Sequence, residues 1–149
     1  MSLFNLLSVS ASGMSAQRLR AELLTENLAN SETTRTPEGG PYRRKDAVFQ
    51  SESQTSPFSA VFQTEMDAAR QPAMMGVGVS EVVVDQRDPE KRYLPGHPDA
   101  DDKGYVAFPR INPAEDMVDL MGASRGYQAN VAAMSAVKDM IHKSIDLLR

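Results

Sequence analysis

Cysteine is absent from the 149-residue chain, and so is tryptophan. Without cysteine there is no disulfide, no thiolate metal site and no thiol nucleophile, and the chain is indifferent to an oxidising compartment. Aromatic residues make up only 6%. A core must therefore come from aliphatic side chains and from nine methionines, which adapt to irregular helix–helix surfaces. Basic residues are outnumbered by acidic ones, 16 to 20, leaving a formal charge of −4. A phosphate backbone needs a basic face, so nucleic acid is not expected as a partner. Long apolar runs are missing as well. No run approaches the ~20 residues of a membrane-spanning helix, so no membrane insertion is expected. The opening MSLFNLLSVSASGMSA has no Lys or Arg before Arg18, and Asn5 and Ser8 break its apolar run. A cleaved signal peptide is not expected there.

What is present is helical at both ends. Steps of three and four from Met117 reach Leu120, Ser124, Tyr127, Val131, Met134, Lys138, Ile141, Ile145 and Leu148. All but Ser124 and Lys138 are apolar, which is a sustained heptad seam. Asn112 can cap, Pro113 fits the first helical position, and Glu115 sits where the helix dipole favours an acid. The spacing predicts a helix from about Pro113 to the end, roughly 55 Å long. That is longer than a compact domain of this size requires. Residues 2–30 behave similarly. Leu3, Leu7, Met14, Ala21, Leu24 and Leu28 lie on one stripe, with Phe4, Leu6 and Ala11 beside it. Ser10 and Gln17 interrupt the stripe, and Gly13 weakens the helix by about 0.5–1 kcal/mol. Asn27 and Asn30 suit a helix end.

The middle reads differently. Tyr42–Phe49 and Val77–Val84 have strand character. Residues 51–59 read as a loop and 60–71 as a short helix. From Asp88 to Pro113 there are five prolines and two glycines. Turns and extended chain are expected there, with Tyr105–Phe108 as a short strand. The expected fold class is mainly α with a β-containing insert. The divisions are 1–31, 32–112 and 113–149, with the terminal helices paired as an antiparallel coiled coil.

Chemical motifs are few. Asp99, Asp101 and Gly104 match the start of a calcium loop, but Lys103 and Arg110 stand where ligands belong. A solvated turn is the better reading. His97 and His142 are far apart in sequence, and His142 flanks the seam. Gly76-Val77-Gly78 is too short for a phosphate loop. No Ser/His/Asp order appears. No catalysis, cofactor, metal or small-molecule substrate is expected. The run Arg43-Arg44-Lys45 follows Tyr42 and could stack on a base. In an acidic chain it reads better as a strand's solvent face or as a salt-bridge partner for a neighbouring chain. Within ASRGYQANV (Ala123–Val131), polar groups interrupt the seam. They either face solvent or fix register through specified hydrogen bonds.

The stretch LANSETTRTPEGGPYRRK (Leu28–Lys45) resembles the signature of the FlgC family of bacterial flagellar proximal rod proteins. The opening MSLFNLLSVSASGMSAQRLR, the closing MVDLMGASRGYQANVAAMSAVKDMIHKSIDLL and PGHPDADDKGYVAFP are similar to that family as well. The resemblance is nearly end to end and weakest from about Gln50 to Ala73. The family usually has Ala at Gly126 and differs at Ser31-Glu32.

The resemblance implies a structural protein exported by the flagellar type III apparatus without a cleaved signal. It implies polymerisation into a hollow drive shaft in the periplasm. Its implied partners are copies of itself, other rod proteins, and basal-body ring and export-gate components. Terminal helices that order on assembly fit stripes that lack a sufficient partner within one chain. The expected assembly residues on the first helix and the following turn are Leu7, Met14, Leu24, Asn27, Leu28, Asn30, Thr34, Pro37, Gly39, Gly40, Tyr42, Arg43 and Arg44. On the second helix they are Met117, Leu120, Arg125, Tyr127, Asn130, Val131, Met134, Ile141, Ile145 and Leu148. Arg125, Tyr127 and Asn130 belong to the family-like closing motif. The competing classes are a soluble coiled-coil adaptor for a helical partner and a nucleic-acid module built on Arg43–Lys45.

Overall fold

A computed structural model of the chain describes residues 3–53 and 75–147. In chain order the described elements are α1 (Leu3–Ala29), β1 (Lys45–Ser53), β2 (Met75–Val84), β3 (Glu90–Tyr93), β4 (Tyr105–Phe108) and α2 (Pro113–Asp146). The helix expected at 60–71, and Leu148, lie outside the described residues.

α2 starts as its sequence dictates. Asn112 Oδ1 accepts the N–H of Ala114 at 3.2 Å, and Asn112 O accepts the N–H of Asp116. Pro113 needs no donor partner at the first helical position. Glu115 and Asp116 occupy the first turn and Lys143 the last, each with the sign that the dipole favours. At 34 residues α2 is about 51 Å long. α1 ends on its own side chains. Asn30 Nδ2 donates to Glu26 O and Ser31 Oγ donates to Leu28 O, adding a side-chain donor to carbonyls that also accept the backbone N–H of the same residue.

The strands form two two-stranded sheets, β1 with β2 and β3 with β4. β3 and β4 are antiparallel, with Glu90 opposite Phe108 and Tyr93 opposite Tyr105. The turn between them is held by Asp101. Its Oδ1 accepts the N–H groups of Lys103 and Tyr105, and those bonds lower its pKa. Gly104 adopts φ +80°, the left-handed region.

Three expectations change. β1 starts at Lys45 rather than Tyr42, and it continues through 51–53 where a loop was expected. β3 falls in a stretch that reads as turns and extended chain, where no strand was singled out before Tyr105. Its residues, EKRY, are all exposed, so no buried periodicity marks them.

Contacts divide the chain into two compact units. One draws on Met1–Gln17, Phe49–Ser80 and Arg125–Arg149; the other on Arg18–Val48 and Glu81–Ser124. In the first, Ala16 and Val137 are buried, and Ser12 Oγ accepts the N–H of Val77 at 3.1 Å. There Gly13 lies against Asn130 and Gln17 against Gly126, so α1 and α2 run in opposite directions. In the second, Leu23, Leu24, Tyr42, Val106, Phe108 and Ala123 are buried. Phe108 has the Arg92 guanidinium 4.9 Å from its ring centroid and packs edge-on to His97.

Burial along α2 follows a register one residue earlier than the apolar seam. Asp116, Ala123 and Val137 are buried and Asn130 is half-buried, while Met117, Ser124, Val131 and Lys138 are exposed. Small and polar residues permit the close approach; of the bulkier seam, Met117, Tyr127, Val131 and Ile145 are exposed, while Leu120, Met134 and Ile141 are half-buried.

Gly104→Ala tests the hairpin. A Cβ there would stand 2.9 Å from Tyr93 Cε2 in addition to the left-handed backbone. A loss of about 2 kcal/mol is expected in chemical denaturation.

Candidate assembly site

The joint from Leu28 to Asp46 connects α1 to β1, and it is built on Asn27. This side chain is fully buried. Its Nδ2 donates to Lys45 O at 2.8 Å, and its Oδ1 accepts the Lys45 N–H at 2.9 Å and the Tyr42 hydroxyl at 3.0 Å. The carboxamide thus pairs with both backbone groups of Lys45, as a neighbouring strand would. Asn27 and Asn30 were expected together at the helix end; the helix ends at Ala29 and Asn30 bonds its last turn, while Asn27 holds the returning chain.

Between these anchors the chain makes a closed loop. Tyr42 N–H donates to Thr33 O, Thr36 N–H to Gly40 O, and Gly39 N–H to Thr36 O. Pro37 presets the first corner of that turn, and Gly39 (φ 92°) and Gly40 (φ 79°) supply the left-handed backbone that follows. Pro37, Gly39 and Gly40 are exposed. Thr34 Oγ1 donates to Asp99 Oδ2 at 2.8 Å, tying the joint to the turn after β3. Asp99 thereby serves as a tether between the joint and that turn.

The basic run finds its acidic partners inside the chain. Arg44 Nη1 meets Asp116 Oδ1 at 2.6 Å, and its Nε bonds Asp46. Burial alone would lower the Arg44 pKa, but Asp46 and Asp116 outweigh it and raise it. Lys45 Nζ pairs with Glu26. Arg43 donates to Asp85 O, and Arg87 binds the Asp85 carboxylate, holding its pKa down to about 2. The salt bridges expected with a neighbouring chain are thus met, for Arg44 and Lys45, by Asp46, Asp116 and Glu26 of the same chain. A contiguous acidic motif gave no signal for this, because Glu26 and Asp116 lie on different helices.

The other expected assembly residues scatter in exposure. Leu24 is buried, and Leu7, Met14, Leu28, Asn30, Leu120, Asn130, Met134 and Ile141 are half-buried. Met117, Arg125, Tyr127, Val131 and Ile145 are exposed. The sequence reading passed over Asp116 and Ala123, buried to 1%, although the same seven-residue spacing holds them.

The joint's polar groups hold chain segments together. Two tests follow from Asn27 and Tyr42. Asn27→Ala strands the Lys45 amide, the Lys45 carbonyl and the Tyr42 hydroxyl, and is expected to cost about 3 kcal/mol in denaturant unfolding. Burial chiefly, with the nearby Glu26 carboxylate, pushes the Tyr42 phenol up from 10.0 to about 12. The folded state binds this proton more tightly, so its stabilisation is complete below pH 10 and is lost as pH rises through about 12. Ultraviolet titration is expected to show a late phenol component that Tyr42→Phe removes.

Residues 102–147 match the family described as flagellar basal body rod FlgEFG protein C-terminal. Over its length the chain is similar to the flagellar basal-body rod protein FlgC of Bacillus subtilis (strain 168), at 40% identity over 151 residues and 99% of both chains. The FlgC of Borreliella burgdorferi is 36% identical over 153 residues, covering 100% of this chain and 99% of its own. That of Salmonella typhimurium (strain LT2) is 37% identical over 147 residues, covering 99% and 98%.

Proposed function

The chain belongs to the FlgC family of flagellar basal-body rod proteins, and from that premise we propose how its parts divide the work of assembly. It is a structural subunit of the flagellar basal-body rod, it serves motility, and it assembles with itself and other flagellar components. The terminal helices pair as an antiparallel coiled coil within the subunit. The apolar side of α2 that this pairing leaves outside is covered by neighbouring subunits, forming the wall of a hollow shaft in the proximal rod. The middle segment contacts neighbouring rod proteins and ring and export-gate components. The subunit reaches the periplasm through the flagellar export apparatus without a cleaved signal, and its termini order as neighbours cover them.

One observation carries this reading. Met117, Val118 and Met121 are each more than half exposed, and Tyr127, Val131, Met140 and Ile145 are exposed farther along α2. Covering each such side chain contributes about 1.5–3 kcal/mol, which offsets the ordering of long terminal helices. A soluble coiled-coil adaptor would also carry an apolar stripe, but it would not sediment with basal bodies.

Met117→Asp and Val131→Asp separate the inner and outer faces. Both positions are exposed, so unfolding of the purified chain is expected to change by no more than about 0.5 kcal/mol. Swimming and recovery with basal bodies are expected to be lost. Normal swimming in both variants would remove this face from the assembly interface.

A further inference from the structure

A helix–helix seam is expected to be apolar, yet in the first unit two of the close approaches of α1 to α2 set an amide on a glycine. Asn130 lies against Gly13. A Cβ built there would be 2.9 Å from Asn130 Nδ2 and 3.1 Å from its Oδ1. Gln17 lies against Gly126, whose Cβ would stand 3.1 Å from Gln17 Cδ. Each helix thus supplies one glycine and, four residues on, one amide, and each amide seats on the other helix's glycine.

The two seats are linked. Asn130 Nδ2 donates to Gly126 O at 3.0 Å, so the residue that receives Gln17 also holds Asn130 in its rotamer. Gln17 Oε1 is buried and has no hydrogen-bond partner. That orphaned acceptor costs stability that an apolar side chain of similar size would not. A polar layer kept at such a cost is how coiled helices fix register and partner.

We propose that Gln17 and Asn130, seated on Gly126 and Gly13, are specificity-determining residues that set the register in which α1 and α2 pair for rod assembly. The proposal rests on the rod reading above. A slip of one heptad lifts both amides off their glycines. It sets Asn130 against Leu6 in one direction and Gln17 against Ala133 in the other. Either places an amide against a side chain with no notch, so the mispaired forms are disfavoured. α2 contains a second glycine, Gly122, but a Cβ there meets nothing within 4 Å. It is not a seat, and it provides a built-in control.

The test uses the full chain, supplied to cells that lack their own copy, with Gln17→Leu, Asn130→Ala and Gly122→Ala compared at equal cellular levels. Gln17→Leu removes the orphaned acceptor, and Asn130→Ala leaves a good helix former that fits any space Asn130 vacates. Both are expected to melt no lower than wild type when purified, and to lose swimming and recovery with basal bodies. Gly122→Ala is expected to swim as wild type. The proposal is overturned if either amide variant assembles normally. It is equally overturned if assembly and melting temperature fall together in both, because the amides then only pack. If the wild-type chain itself fails to restore swimming, the rod reading fails instead.

Discussion

The carboxamide of Asn27 closes the chain back on its own first helix. A planar amide offers a donor and an acceptor with the spacing of a peptide group, so it can satisfy both backbone groups of Lys45 at once. Left unpaired in a fully buried site, such a group would cost several kcal/mol, on the order of 2–7. Here it has three partners, and the site is stable because all three are present. The consequences spread outward. Lys45 begins β1, Tyr42 is drawn beneath it with its hydroxyl on Asn27, and Glu26 on the same helix meets the Lys45 ammonium. The closed loop of Thr33–Tyr42 then has both of its ends fixed, although most of its tip is exposed.

A second buried polar contact builds on the first. Once Lys45 is fixed, Arg44 is carried to the start of α2, where Asp116 is buried to 1%. The helix N-terminus favours that carboxylate, and the guanidinium neutralises it. Buried ion pairs seldom add much net stability, because desolvation consumes most of the Coulombic gain. Their effect is selective: one arrangement leaves no charge unpaired, and alternatives do. The same logic recurs with the amides on Gly13 and Gly126. In both places polar groups define where segments meet, while apolar burial supplies the general attraction.

α2 carries two faces of the same period. The inward one is Asp116, Ala123, Asn130 and Val137, small or polar; the outward one includes Met117, Tyr127, Val131 and Ile145. A free-standing monomer rarely leaves so long an apolar stripe open to water. In the assembly proposed above, neighbouring subunits cover this stripe. The division of labour is physical. The close-packed inward face needs small or specific residues, and the outward face needs bulk and adaptability, which methionine supplies.

Much of this was legible beforehand. The cap at Asn112, Pro113 behind it and the heptad spacing placed α2, and the β-branched run Val77–Val84 placed β2, because these signals are local in the chain. β3 was not legible, since four exposed residues carry no burial pattern. The joint was legible as a turn from Pro37, Gly39 and Gly40 but misread in its parts, because Asn27 looks the same whether it caps a helix or is buried.

Local chemistry therefore determined the helices, their ends and the turn glycines. Tertiary structure decided which of two adjacent heptad faces turns inward, and that the basic run pairs within the chain. Periodicity fixes that a helix has a face. Choosing between faces one residue apart depends on steric fit to the opposing helix, and pairing Arg44 with Asp116 depends on closing a long loop. Neither is encoded at any single position in the chain.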